Sequence, residues 1–370
     1  MQFELSEDQL DFQKSLRRMI SDRSPMKIVR EVIETEPGWD EGLWRQFAEQ
    51  AGLPALLVPE EYDGAGASLV EAMIVMEELG RGLVPSPFFA TTAFGVVPIL
   101  TFGSESQKQH LLPGIVAGEI TATTAITEPS GNWSPDGVEM VADGSDDSVT
   151  LTGTKSFVID GHTANKILVV ARSGDQYGLY VVDGDAPGLS RTKQTTLDLT
   201  RPMATLEFDN VAATALGEPG SWDRISHMID VAATLLAAEM VGAMEAAMTM
   251  AVEYAKVRNQ FSRAIGSFQG IKHRLSEMAL EVDTSRAATW YAAHAGAEEL
   301  EDFPTAALVA KATAAAGFAF TASWVVQVHG GIGFTWDHDA QLYYRKAKST
   351  ELLLGSTADT WLQLADRLGV

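Results

Sequence analysis

Between residues 222 and 258 the chain runs without proline and keeps its apolar residues at helical spacing, which predicts a helix of about 55 Å at 1.5 Å per residue. Helices of that length belong to bundles, where neighbours cover the apolar stripe. Further helical stretches follow, broken at Gly266 to Ser267, around Phe303 to Pro304, and at the glycine cluster HGGIG. The C-terminal part is therefore expected to be a helical bundle.

Upstream the period is different. From about residue 120 the segments TATTAIT, SVTLTG, KSFVI, KILVVAR, YGLYVV and TLEFDNV are short, β-branched and bounded by Gly, Asp, Asn or Pro, which predicts a small, mainly antiparallel β domain ending near LGEPGS. The first third returns to helical spacing. Ser6 with Gln9, Ser68 with Glu71 and Ser104 with Gln107 have the capping-box separation, so three helix starts are predicted there. Gly52, Gly80 and Gly82 follow apolar-periodic segments and suit helix ends, with PALLVPEEYDGAGA as loop. The expected fold is mainly α with a central β domain: a helical domain over 1–118, a β domain over 119–220, and a helical bundle over 221–370.

Composition excludes several functions. With 50 acidic against 27 basic residues the net charge is −23, so nucleic acid and anionic lipid surfaces are poor partners, and an anionic ligand needs a local concentration of arginine. Cysteine is absent, which removes disulfides and thiolate chemistry, and the seven histidines form no HExxH pattern, so no metal site is expected. The N-terminal segment alternates charged and apolar residues, unlike a signal peptide, and cytoplasmic residence is the expectation. The most apolar run, TAALVAKATAAAGFAFTASWVV, contains Lys311 and many small residues; it reads as a buried bundle helix, with no membrane span expected.

Against that acidic background, YAKVRNQFSRAIGSFQGIKH (254–273) gathers Lys256, Arg258, Arg263, Lys272 and His273. It is either a solvated helix end or a diphosphate clamp with Arg258 as the bidentate donor and Phe261 as a packing surface. QVHGGIGFTWDH (327–338) carries consecutive glycines, which either end a helix or let the main chain approach a ligand closely. In order, these segments resemble the acyl-CoA dehydrogenase family patterns R-x-Q-F-G-x-x-I-x-x-F-Q and Q-x-x-G-G-x-G-(Y/F)-T, with only the first pattern's glycine changed, to Ser262. AITEPSGNW (125–133) is similar to the family's (L/V)-T-E-P strand end, and GTKSFVIDG (153–161) to G-x-K-x-(W/F)-I-(T/S)-(N/D)-(G/A). LPGIVAGEITATTAITEP and LWRQFAEQAGLPALLVPEEYDGAG extend the likeness over nearly the whole chain.

The resemblance implies an N-terminal helical domain, a middle β-barrel or sandwich and a C-terminal four-helix bundle, with non-covalent FAD at a subunit interface, an acyl-CoA substrate, a homo-oligomer or a heteromer with a related chain, and an electron-transfer flavoprotein as acceptor. Thr127, Phe157 and Ile159 would lie at the flavin; Arg258, Gln260, Phe261, Gln269, Gln327, Gly330 and Gly331 would reach the adenine and diphosphate half of a neighbour's FAD. The family reaction removes the α-proton of the thioester with a carboxylate while the flavin takes hydride from the β-carbon.

Where that carboxylate should stand, the sequence departs from the family. Aligning Arg345 and Gly355 with the family's final helix and Y-E-G-T turn places Leu354 at the glutamate, and the alternative site at the start of the long helix holds Ala232. The stretch AKSTELLLGST otherwise reads as a helix end with three buried leucines and a left-handed glycine cap. Ile159 replaces a flavin-bonding threonine, Ala232, Ala233 and Thr234 replace a CoA-binding T-R-P, and SGNWSPD disrupts the G-x-G-S-D turn and with it the role of Ser134. Glu239 is the remaining candidate, either as a buried base of raised pKa or as the structural partner of an arginine or lysine on a neighbouring helix. Asp337 and His338 are weaker candidates. The expected function is FAD-dependent acyl-CoA dehydrogenation by this chain, with Glu239 as displaced base, or with it as the structural subunit of a heteromer. A flavin oxidase or monooxygenase of the same fold acting on a substrate that is not a CoA ester is a further alternative.

Overall fold

The computed structural model describes residues 5–145 and 148–369. The first third is helical: α1 (Glu7–Arg23), α2 (Met26–Val32), α3 (Glu41–Ala51), α4 (Leu69–Arg81), α5 (Phe88–Thr91), α6 (Val97–Phe102) and α7 (Glu105–Val116), with a π-helical turn, Thr92–Val96, joining α5 to α6. The capping boxes at Ser6 and Ser104 close reciprocally with Gln9 and Gln107. Gly52 ends α3 in the left-handed region at φ 60°, as its sequence position predicts. Two 3₁₀ turns, Leu53–Ala55, which begins one residue before PALLVPEEYDGAGA, and Glu60–Tyr62 within it, interrupt an otherwise irregular path.

The strands are β1 (Ala122–Ala125), β2 (Ala142–Ser145), β3 (Ser148–Ile159), β4 (Lys166–Ser173), β5 (Gln176–Asp183), β6 (Leu189–Lys193) and β7 (Met203–Ala215). They form one sheet in the order β1-β4-β5-β7-β3-β2, with β6 also on β7. Only the β1–β4 pairing is parallel among these. SVTLTG and KSFVI are one strand, not two, because register shifts between Leu151 and Gly153 and between Lys155 and Val158 absorb the irregularity that reads as a break. The unforeseen strands β2 and β6 are short and carry no apolar alternation; pairing to β3 and β7 makes them strands. The sheet packs its interior with Leu151, Val158, Ile167, Val169, Leu206, Phe208 and Val211.

After β7 comes α8 (Asp223–Val257), a two-residue hairpin of β8 (Asn259–Gln260) and β9 (Arg263–Ala264), then α9 (Gln269–Ala297), α10 (Phe303–His329), α11 (Ala340–Leu352) and α12 (Thr357–Leu368). A further capping box, Ser356 with Asp359, starts α12. Helix α8 and the stretch Phe303–Phe334 are long and apolar enough to cross a membrane. Burial of 67% and 61% of their apolar windows fits the bundle expectation.

The chain gathers into two compact units built from separated segments. One takes α1, residues 69–84 and everything from Ala233 onward; the other takes residues 32–68 and 85–232. In the first, α4 ends at Arg81 between Gly80 and Gly82, where the glycines suit a helix end, and a Cβ on Gly80 would meet Glu239 O at 2.1 Å. Gly242 answers from α8, where a Cβ would meet Glu77 O at 1.8 Å. The two helices thus touch main chain to main chain, and only glycine on both permits it. Gly242→Ala should therefore lower unfolding stability by about 3 kcal/mol in denaturant titration, because both clashing groups are backbone and cannot turn aside.

Candidate functional site

In the unit that contains the sheet, the end of β1 is tied to β3 beyond the regular ladder. Thr127 donates its hydroxyl to Ser156 O at 2.6 Å and accepts Ser156 N–H at its carbonyl at 2.9 Å. Beneath this, Lys155 Nζ lies 2.8 Å from Glu128 Oε1 and donates to Ile126 O at 3.0 Å, while the same Glu128 oxygen accepts the amides of Glu139 and Met140. Burial works to raise the Glu128 carboxyl, but Lys155 and these amides outweigh it and hold it below its ordinary value; burial pulls Lys155 down. This clamp was not assigned from sequence, although a lysine within an apolar strand is the signal of a buried partner.

Above the clamp, Phe157 has φ 59° and is 42% exposed. The register shift between Lys155 and Val158 is what turns it out of the strand plane. A Cβ on Gly131 would sit 3.5 Å from its ring, so the loop after Glu128 passes directly against that ring. Ile159 is buried and accepts the Thr123 hydroxyl at its carbonyl, 2.7 Å away.

Asp160, at φ 53°, is buried, and burial raises its carboxyl from 3.8 to about 7 despite the opposing fields of Arg201 and Lys193. The folded state then holds this proton more tightly than the unfolded state, so stability is lost as pH rises from about 4 through 7. Asp160→Asn, which tolerates the same φ, should flatten that fall and raise the melting temperature at pH 8 in a pH series of thermal unfolding.

In the other unit, β8 and β9 pair around Phe261 and Ser262, both with positive φ (51° and 65°), as a two-residue primed hairpin requires. Ser262 thus adopts the conformation for which the family pattern has glycine. Phe261 is 87% exposed, meets Phe268 edge-on at 6.1 Å, and Arg263 stacks over Phe268 at 4.0 Å. Arg258, Gln260 and Gln269 are exposed beside or within this turn region. At the end of α10, Gln327, Gly330 and Gly331 are exposed, and a Cβ on either glycine would meet nothing within 4 Å. Open main chain, an exposed guanidinium and an aromatic platform suit the adenine and diphosphate portion of a dinucleotide. The exposed ring of Phe157 on its braced strand end suits a flat isoalloxazine.

The candidate bases fare differently. Helix α11 ends at Leu352, which is 65% exposed rather than buried as expected. Leu353 and Leu354 are buried, and the left-handed conformation falls on Leu354 (φ 63°) as well as Gly355 (φ 94°). The Gly355 carbonyl accepts Lys311 Nζ, which also donates to Thr360 at 3.2 Å; burial lowers the Lys311 pKa to about 8. Lys311 therefore ties the Leu354 turn to α10.

Glu239 Oε1 lies 3.0 Å from Lys346 Nζ on α11, both side chains nearly inaccessible at 8% and 3%. Of its two readings, the paired one matches this geometry, because a carboxylate committed to a buried ammonium could take a proton only by breaking that pair. His338 Nδ1 accepts the amide of Ala340 at 3.1 Å, which makes it a cap of α11, and Asp337 is exposed. Ala232, Ala233 and Thr234 are buried. Ser134 opens a 3₁₀ turn, its amide donating to Asn132 Oδ1 at 2.9 Å.

Comparison with known proteins covers the same span. Family models of the acyl-CoA dehydrogenase N-terminal, middle and C-terminal domains match residues 6–119, 123–211 and 221–369. The acyl-CoA dehydrogenase IpdE2 of Mycobacterium tuberculosis is 32% identical over 359 residues, 97% of this chain and 96% of that one. Among solved structures, the Tcur3481-Tcur3483 steroid ACAD superposes with TM-score 0.90 at 32% identity, covering 98% of both chains. The ChsE4-ChsE5 complex from Mycobacterium tuberculosis superposes with TM-score 0.91 at 27% identity, covering 100% and 99%.

Proposed function

Because the chain belongs to the acyl-CoA dehydrogenase family of FAD-dependent oxidoreductases, we propose that it works as one subunit of a heteromeric enzyme whose related chain supplies the proton acceptor. The observation that carries this reading is the state of the usual carboxylate position and of the remaining candidate. Leu354 is a buried hydrocarbon, and Glu239 is held by Lys346. The two-chain names of the Tcur3481-Tcur3483 and ChsE4-ChsE5 neighbours support the reading. Under it, Thr127 and Phe157 hold the flavin, with Ile159 packed behind them. Arg258, Gln260, Phe261, Gln269, Gln327, Gly330 and Gly331 grip the nucleotide half of an FAD carried by the partner.

FAD, when bound, accepts the hydride from the β-carbon. The residues of this chain contribute binding and orientation. Phe157 offers a ring face, the Glu128–Lys155 clamp keeps the strand end from yielding, and Arg258 balances diphosphate charge. An electron-transfer flavoprotein is the proposed acceptor, and the substrate is a fatty or steroid-derived acyl-CoA.

The test is to purify the chain alone and with a co-expressed related chain, record the flavin spectrum, and add acyl-CoAs anaerobically. The complex should retain FAD and bleach, and should still bleach with Glu239→Gln; the chain alone should do neither. Bleaching by the isolated chain that is lost in Glu239→Gln would establish Glu239 as the base and overturn the heteromeric reading. Independently of activity, Glu239→Gln removes the charge partner 3.0 Å from buried Lys346 and should lower stability by about 3 kcal/mol in urea unfolding.

A further inference from the structure

We propose that Trp133 determines which acyl groups the site accepts, favouring rigid alicyclic acyl thioesters over extended chains. This rests on the reading of Thr127 and Phe157 as the flavin side of the site. The loop that leaves the end of β1 passes Gly131 against the Phe157 ring, and two residues later the half-buried indole of Trp133 meets Phe94 at 6.4 Å between centroids with 35° between planes. The loop therefore connects the ring at the proposed flavin position to a second aromatic surface within the same unit. In the family pattern G-x-G-S-D the residue just before the serine is glycine; here Trp133 stands just before Ser134.

Phe94 gives the indole a firm backing. It is buried in the π-helical turn, packs edge-on against Phe89 at 5.6 Å, and its carbonyl accepts the Thr124 hydroxyl from β1. The loop itself has little freedom. Asn132 caps the Ser134 amide, a Cβ on Gly137 would meet Asn132 O at 2.6 Å, and Glu128 accepts the amides of Glu139 and Met140 at the loop's far end. The braced aromatic pair stands where the family pattern has a bare turn. It offers a flat apolar face to ring C–H groups. A rigid ring system loses few rotors on settling there, whereas an extended chain must freeze each of its bonds.

The test measures binding of cyclohexanecarboxyl-CoA and octanoyl-CoA to the FAD-loaded complex of this chain with its related chain, from the perturbation of flavin absorbance and the quenching of tryptophan fluorescence. Trp133→Gly should weaken the cyclohexane thioester about tenfold, change the octanoyl thioester by less than about twofold, and leave FAD content unaltered. Trp133→Leu keeps bulk without the aromatic face and serves if the glycine variant does not fold; it should weaken the ring ligand selectively as well. Equal changes for both ligands, or none, with FAD content intact, would overturn the role of Trp133 while leaving the flavin assignment standing. An unsubstituted complex that binds FAD but neither thioester would overturn the role of Trp133 together with the acyl-CoA reading of the site.

Discussion

The main-chain contact between α4 and α8, made at Gly80 and Gly242, is the constraint on which the helical unit depends. Helices this close leave no room for water, so every ionisable residue near the crossing must find its counter-charge inside the protein. Arg17 pairs with Glu78 at 2.6 Å, Arg286 with Glu77 at 3.1 Å, and Glu245 takes both Arg81 and Arg286. Burial raises Glu77 even against Arg286, whereas Arg81 and Arg286 together overcome burial and lower Glu245. Glu239 with Lys346 is the same solution one turn before Gly242. The ion pair that removes Glu239 from catalysis in our reading is thus a consequence of how tightly α8 is packed, since one partner without the other would leave a bare charge in hydrocarbon.

The sheet-containing unit solves an analogous problem at the end of β1. Lys155 inside an apolar strand is tolerable only because Glu128 and the Ile126 carbonyl meet it. Once that pair is fixed, the adjoining register shift displaces Phe157 into a left-handed conformation with its ring exposed. Strain at Phe157 and at the Phe261–Ser262 hairpin falls at the positions the family resemblance assigns to the flavin and its nucleotide. Surrounding pairing holds both in place.

Much of the fold was legible because periodicity reports directly on burial. The change of period near residue 120, the proline-free run that became α8, and the serine–glutamine spacings at Ser6 and Ser104 each express a local rule. Gly80 stands at its helix end as its spacing predicts, but the crossing it permits is not legible in the sequence, because the backbone it meets belongs to a distant segment. Leu352 was misread because a triplet of leucines cannot all face inward once the helix ends among them. Strands β2 and β6 escaped because pairing with β3 and β7, rather than their own residues, makes them strands.

By itself the sequence determined the helical, β, helical order, the family, and that a leucine stands at 354, since these are matters of residue type and spacing along the chain. Only the tertiary structure decided which lysine Glu239 pairs with, which lysine braces the Leu354 turn, and that Trp133 backs onto Phe94. Each of these depends on side chains brought together from distant parts of the chain, and the charge or ring that a residue meets is not written in its own neighbourhood.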